Sequence, residues 1–469
     1  MPPSTPKTES HPQAVLSGVG EDDREPVATG NDEVSPENDP SHGRNFSLAV
    51  FYMVLMRIGW IFKTESIIMP AVLDVIGGSG WLRGCLPMLN RFGQSVPPLL
   101  VSDRVRNSRY KKFGLFGATL TMGLCFLLLS AVWFVTGGTK SFWLPLIFLM
   151  IYGVFFVATG INLLLLNTLT GKLIKVTRRG AMSLQGTVFG STIAVLCAWQ
   201  LLSVWLVDEG TSGTEAQSSF GLIFCFTGTM FVAAAGCGLF LKERPDIRNE
   251  TGRSAIELIR ASLATLREDK NFRTLAIIAA MFGMYLTLFP HYQRLGRDRL
   301  ALSITALIPW VLAQNIGAAC FSIPSGWIAD RFGNRLVLRI SLLVLCVPPI
   351  MAVVLGQIEE VNRGWFTAIF CLLGLTPVAM RYLSNYTLEV CSSADHPRYL
   401  STLGLAIAVP PIFLSPLLGA LVDWVSFEFV FGIVIVCIGI GWLLTFRIDE
   451  PRHNNREGYE EQTKPKGSL

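Results

Sequence analysis

The chain has 469 residues, 51% of them hydrophobic and only 16% charged, with 30 Phe and 11 Trp. Soluble domains carry about a quarter charged residues, so this composition excludes an ordinary soluble globular protein. The net charge of +5 hides an acidic leader, with nine Asp or Glu against three Lys or Arg in residues 1–44, and a basic remainder; the basic residues fall in short loops between apolar segments, not in one patch, which argues against a nucleic-acid surface.

The leader is rich in Pro, Ser, Glu and Asp, cannot bury a core, and is expected to be disordered and cytoplasmic. It lacks the basic stretch and apolar run of a cleavable signal peptide, so the first membrane helix is expected to act as its own insertion signal. Ten cysteines stand singly, mostly inside apolar runs. They read as small buried apolar residues, not as a disulfide framework or metal site.

Apolar segments long enough to cross about 30 Å of hydrocarbon follow near residues 47–75, 113–136, 142–167, 181–206, 219–241, 272–290, 302–328, 336–356, 364–388, 399–422 and 427–446. The stretch 81–101 holds Arg83, Asn90, Arg91, Gln94, Pro97 and Pro98, and hydropathy alone leaves it in a loop. Counting it as a span places 20 basic loop residues on one side and 5 on the other; without it the first basic clusters alternate wrongly. The expected fold is therefore an all-α integral membrane protein of twelve transmembrane helices with both termini cytoplasmic. It divides into a leader (1–44), a first six-helix bundle (45–241), a cytoplasmic linker (242–271), a second bundle (272–447) and a tail (448–469). In the linker, Ser254 and Glu257 form a capping box ahead of Ile256, Ile259, Leu263 and Leu266, beside Arg260 and Arg267. That pattern fits a helix lying along the membrane face or a solvated linker helix.

Between the eighth and ninth spans the sequence reads Gly326, Trp327, Ile328, Ala329, Asp330, Arg331, Phe332, Gly333, Asn334, Arg335. This suits a very short turn: Gly326 lets two helices approach, Gly333 takes a backbone conformation closed to other residues, and Asp330 caps a helix or pairs with an arginine. Here the chain resembles the major facilitator superfamily, whose signature runs Gly-x-x-x-Asp-Arg-x-Gly-Arg/Lys-Arg/Lys after the second span and again after the eighth. The first copy is Asp103, Arg104 and then Arg109, Lys111 and Lys112, with Leu99 and Arg106 where glycines are expected. Asp103 and Asp330 lie 227 residues apart, close to the interval between the first and seventh spans, which fits two parallel repeats. The resemblance covers roughly residues 45–447 and implies a transporter, not an enzyme, with no cofactor. It extends to Arg179 before Gly180 at the start of the fifth span and Arg398 at the start of the eleventh, similar to arginines the family sets beside its Asp turns. Arg381, near the cytoplasmic end of the tenth span, is expected to pair with Asp330 or Glu389.

Ionisable side chains inside a span are costly unless they face a cavity or a partner. The first span carries Arg57, Lys63 and Glu65, and the second Arg83 and Arg91. On a continuous helix Arg57, Trp60, Ile61 and Thr64 share one face, with Glu65 and Lys63 to either side. On the second span Arg83, Pro87, Asn90 and Gln94 form a stripe flanked by Arg91. One reading is a positively lined pathway that attracts a carboxylate or phosphate; the other is that Glu65 pairs with Arg57 or Arg91 to hold two helices together. From the second half the candidates are neutral: Tyr285, Gln314, Asn315 and Asn385. No histidine falls within an expected span, and Glu65 is the expected proton carrier if transport is proton-coupled. Pro410, Pro411 and Pro416 ahead of Gly419 make the eleventh span either a flexing element or a kinked packing helix.

These features point to alternating-access transport of a small polar, anionic solute by a monomer in the cell membrane, the bilayer being its other partner. The competing readings are efflux of lipophilic compounds, against which the fifth span lacks a glycine and proline series, and a non-transporting membrane sensor.

Overall fold

A computed structural model describes residues 41–206, 213–246, 255–358, 363–392 and 395–450. The expected leader up to residue 40, Ser254 and the tail beyond residue 450 lie outside the described residues. Among the described residues all regular structure is helical. The first half comprises α1 (His42–Phe62), α2 (Ile68–Ile76), α3 (Gly80–Asn107), α4 (Lys111–Thr136), α5 (Trp143–Leu173), α6 (Val176–Trp205) and α7 (Gly213–Leu239). A linker helix α8 (Ala255–Glu268) leads to α9 (Lys270–Leu286), α10 (Phe289–Leu300), α11 (Leu307–Phe332), α12 (Asn334–Leu345), α13 (Val347–Leu355), α14 (Arg363–Leu373), α15 (Thr376–Val390), α16 (His396–Trp424) and α17 (Phe427–Leu444). Eleven segments among the described residues are long and apolar enough to cross a membrane, with α9–α10, α12–α13 and α14–α15 each making one.

The helix α3 is the polar stretch that hydropathy leaves out, and its packing explains how so many polar residues are tolerated. It lies between α16 and α5 with glycine at both seams: a Cβ on Gly84 would overlap the backbone of Ser415, one on Gly80 the carbonyl of Gly419, and one on Gly93 the backbone of Phe156. Close backbone approach of this kind is what small residues permit in apolar surroundings. The remaining face carries Asn90, Arg91 and Gln94 into an interior cavity. Pro87, Pro97 and Pro98 sit inside α3 without ending it, as do Pro410, Pro411 and Pro416 in α16.

The expected continuous first span is corrected by a break. Lys63, Thr64, Glu65 and Ser66 are four consecutive polar residues at its middle, and the helix stops at Phe62 and resumes at Ile68. The Thr64 hydroxyl donates to the Ile61 carbonyl at 2.6 Å, and the Thr64 carbonyl accepts from Ile68 N and Met69 N at 2.9 and 3.1 Å. The side chain and carbonyl of Thr64 thus satisfy part of the unwound backbone, which eases irregular chain in apolar surroundings. The second half repeats the device: α9 ends at Leu286, and the Thr287 hydroxyl donates to the Met284 carbonyl at 2.6 Å before α10 begins. Thr64 and Thr287 are 223 residues apart, near the repeat interval. Because α10 continues to Leu300, the membrane-length segment Lys270–Leu300 contains His291, one residue beyond the expected span.

The linker residues 255–268 form the expected helix. It packs on α9 and α16 with Ser262 and Thr265 buried, while Ile259, Leu263, Arg260 and Arg267 face outward.

Candidate functional site

A cavity of about 270 Å³ lies between the two halves. The first half lines it with Arg57, Trp60, Ile61, Thr64, Glu65 and Ser66 from the broken span and with Pro87, Asn90, Arg91 and Gln94 from α3. Gln314, Asn315 and Ala318 of α11, Leu286 and Phe289 around the second break, and Gly374, Thr376, Pro377 and Met380 at the start of α15 complete it. Two hydrogen bonds cross between halves in its wall: Ser66 Oγ donates to Gln314 Oε1 at 2.6 Å, and Arg57 Nη2 approaches Asn315 Oδ1 at 3.5 Å.

Nine of the sequence candidates therefore meet at one place: Arg57, Trp60, Thr64, Glu65, Asn90, Arg91, Gln94, Gln314 and Asn315. Three do not line it. Tyr285 is buried against Phe289, and Asn385 lies farther along α15. Lys63 is turned away because the helix unwinds at that residue: its ammonium sits 3.6 Å from the centre of the Trp60 ring and within about 5 Å of Phe155 and Phe156, in the aromatic core of the first half. Cation–π attraction suits a desolvated ammonium there, and Glu65 Oε1 supplies the countercharge at 2.5 Å. Glu65 also accepts from Asn90 Nδ2, and Asn90 Oδ1 accepts from Gln94 Nε2 at 2.5 Å. Among the described residues the cavity carboxylate is thus hydrogen-bonded to Lys63 and to an amide chain, and of the two readings the one that pairs it directly with Arg57 or Arg91 is not seen as an ion pair. Arg91 makes no hydrogen bond or ion pair among the described residues, and Arg57 Nε is buried without an acceptor. Sequence reasoning missed Ser66, Thr376, Pro377 and Met380, which carry no charge to mark them.

At the end away from the Asp-Arg turns, Arg83 neither lines the cavity nor reaches an interface. It is buried, bonding Asp74 Oδ1 at 2.6 Å, the Gly78 carbonyl at 3.2 Å and Asp423 Oδ1 at 3.4 Å. Gln293 Nε2 donates to Asp74 Oδ2 at 2.7 Å and Gly80 N to Asp423 Oδ2 at 2.5 Å, so this cluster joins the halves at that end. His291, with both ring nitrogens lacking a hydrogen bond among the described residues, is buried close by.

The turn end is organised around a residue the sequence did not flag. Glu243, following α7, has its carboxylate buried; it accepts from the backbone N–H groups of Lys111 and Lys112 at 3.0 and 2.8 Å and from Lys172 Nζ at 2.8 Å. An anion at the N-terminus of α4 is favoured by the helix dipole as well as by the hydrogen bonds. Asp246 pairs with Lys111 and with Lys172, so the ends of α4, α5 and α7 are tied together. Glu450, following α17, comes close to Gly333 ahead of α12 in the corresponding place. Gly333 has φ +93°, the region reserved for glycine. Gly326, expected to let helices approach, would meet nothing within 4 Å if it carried a Cβ. Arg331 stacks on Trp327 and Phe332, and Arg335 reaches the Phe446 carbonyl. Arg179 donates to the Gly171 and Ile174 carbonyls at the end of α5, and Arg398 to Thr265 Oγ1 and Glu268 of the linker helix, so these two arginines serve helix ends and the linker. Arg381 and Glu389 lie on α15, Asp330 on the last turns of α11, and Asp103 and Arg104 near the end of α3.

Burial alone would raise the Asp246 carboxyl, but the hydrogen bonds and charges of Lys111 and Lys172 outweigh it and hold the pKa below the ordinary 3.8. The stability Asp246 contributes is therefore complete above that ordinary value and is lost as pH falls through the depressed folded-state value. Replacing Asp246 with Asn is expected to lower the melting temperature at pH 7, with the gap from wild type closing as pH is brought toward 3. A gap that stays constant across this range would remove the assignment.

The profile described as Major Facilitator Superfamily matches residues 300–469. No curated protein sequence matches the chain. Among solved structures, the chain is similar to a variant of the nucleoside transporter NupG (TM-score 0.61, 13% identity, covering 87% of this chain and 100% of that one). It is also similar to the E. coli fucose:proton symporter FucP (0.57, 12%, 87% and 100%) and to a POT family transporter in complex with 5-aminolevulinic acid (0.65, 11%, 87% and 97%). Identities this low speak for the fold alone, and the profile supplies the sequence link for the second half. Residues 300–469 are thus similar to the Major Facilitator Superfamily, and the chain shares the helical, multi-pass fold of these solved transporters.

Proposed function

We propose that the protein carries a small organic anion across its membrane by alternating access, with Arg57 and Arg91 as the anion-binding pair and Glu65 as the proton carrier. The observation that carries the reading is the state of Arg91: a guanidinium on the wall of a central cavity with no hydrogen bond or ion pair among the described residues, while Glu65, the cavity carboxylate whose charge it feels, is engaged by Lys63. A buried cation in this position is stabilised by an anionic guest, and a guanidinium binds carboxylate or phosphate through two parallel hydrogen bonds. Trp60, Phe289, Leu286 and Met380 offer apolar wall for the body of the solute, and the four amides of Asn90, Gln94, Gln314 and Asn315 offer neutral donors and acceptors.

In the full mechanism α3 is the twelfth crossing, the Asp-Arg turns and both termini face the cytoplasm, and residues 45–241 rock against 272–447 about the linker 242–271. The cross-half bonds of Asp74, Arg83, Gln293 and Asp423 then form the closed external end, and their separation opens the cavity outward. Proton binding at Glu65 weakens its hold on Lys63 and Asn90 and couples the cavity to the proton gradient.

The test is counterflow in proteoliposomes with labelled monocarboxylates and phosphate esters, neutral sugars and nucleosides, and lipophilic dyes. Saturable exchange of an anion, competed by other anions and accelerated by an inward proton gradient, is expected. Exchange confined to neutral solutes or to dyes would overturn the anion assignment, and no exchange in any arm would favour a sensor.

A further inference from the structure

The first half carries a second concavity, lined by none of the residues that line the solute cavity. The helices α3, α4 and α5 enclose a groove of about 380 Å³. Val101, Val105, Val157 and Ile161 wall it, and α4 contributes only Gly114, Ala118 and Thr121, so nothing large fills the space between α3 and α5. The Thr121 hydroxyl is satisfied by the Gly117 carbonyl at 2.9 Å, so the polar side chain inside the groove already has its partner. At the turn end the character changes. Arg104 and Ser108 form the rim, Arg104 is exposed with no hydrogen bond or ion pair among the described residues, and exposed Arg109 follows.

An apolar slot running along membrane-spanning helices and ending in guanidinium groups where those helices end matches an amphiphile in both parts. We infer that the groove holds an acyl chain of an anionic phospholipid from the leaflet on the turn side, with its phosphate on Arg104. The arginine fork grips phosphate oxygens in pairs, and the groove excludes water from the chain. Because α3 also lines the solute cavity, a lipid seated here braces the helix that carries Asn90, Arg91 and Gln94. The inference does not depend on which solute is transported.

The experiment uses the full-length protein exchanged into detergent with phosphatidylglycerol, phosphatidylcholine or inorganic phosphate, and counts retained lipid by native mass spectrometry. Phosphatidylglycerol is expected to be retained about tenfold more tightly than phosphatidylcholine, the scale of one charge-assisted contact. R104Q should abolish that preference, R104K should keep part of it, and A118M, which puts a flexible side chain into the slot, should lower retention of both lipids. Equal retention of the two lipids by wild type would overturn the proposal. So would an undiminished preference in R104Q, or displacement of phosphatidylglycerol by millimolar inorganic phosphate, which would make Arg104 a site for free anions. If R104Q proves unstable in phosphatidylcholine, A118M decides alone, since undiminished retention in that variant would empty the groove of its role.

Discussion

Replacing Arg91 with Gln is expected to cut anion exchange by ten- to a hundredfold at low solute concentration, through weaker binding, with the protein still folded. The magnitude is that of a charge-assisted hydrogen bond in a partly desolvated site, about 1.5–3 kcal/mol. Folding is expected to survive because Arg91 has no hydrogen bond or ion pair among the described residues that the substitution would break; removing its charge relieves a desolvation penalty instead of leaving a partner stranded. Arg57 offers the contrast. It approaches Asn315 across the halves and packs against Gly190, so Arg57→Gln is expected to disturb both binding and the seam between halves. Binding is read by solute-induced thermal stabilisation and transport by counterflow. Unchanged solute affinity in the Arg91 variant would end the claim that this residue receives the anion.

Much of this architecture was legible in the sequence because membrane helices announce themselves by length and composition, and the alternation of basic loops argued for a helix over 81–101, where hydropathy gives none and α3 is found. The glycines that make α3 tolerable there, Gly80, Gly84 and Gly93, gave no such signal, since their meaning depends on which backbone they face. The cavity was legible in its charged and amide residues, because a polar group inside a span has few places to go. What escaped was local geometry. Treating the first span as one helix set Lys63 to one side of the cavity face, whereas the break at residues 63–67 sends it into the aromatic core and leaves Glu65 on unwound chain. Four polar residues averaged over a twenty-residue window do not reveal unwinding. Glu243 escaped for a different reason: its partners Lys111, Lys112 and Lys172 are 71 to 132 residues away, and nothing local distinguishes a loop glutamate that caps another helix.

The Lys63–Glu65 pair permits a test that separates proton coupling from structural support. Glu65→Gln removes the countercharge of an ammonium that has no exposure to solvent, so a loss of about 3–5 kcal/mol of stability is expected, as when one member of a buried ion pair is deleted. Loss of transport in that variant alone would therefore say little about protons. Adding Lys63→Met removes the stranded charge and keeps an unbranched side chain against Trp60, Phe155 and Phe156, so the double variant is expected to regain most of the lost melting temperature. Both variants should bind the anion, since Arg57 and Arg91 remain, yet neither should respond to an inward proton gradient. If the stable double variant still concentrates solute in response to that gradient, Glu65 is not the proton carrier. The buried cluster of Asp74, Arg83 and His291 at the opposite end of the seam would then be the next group to examine, because it too holds titratable side chains between the moving halves.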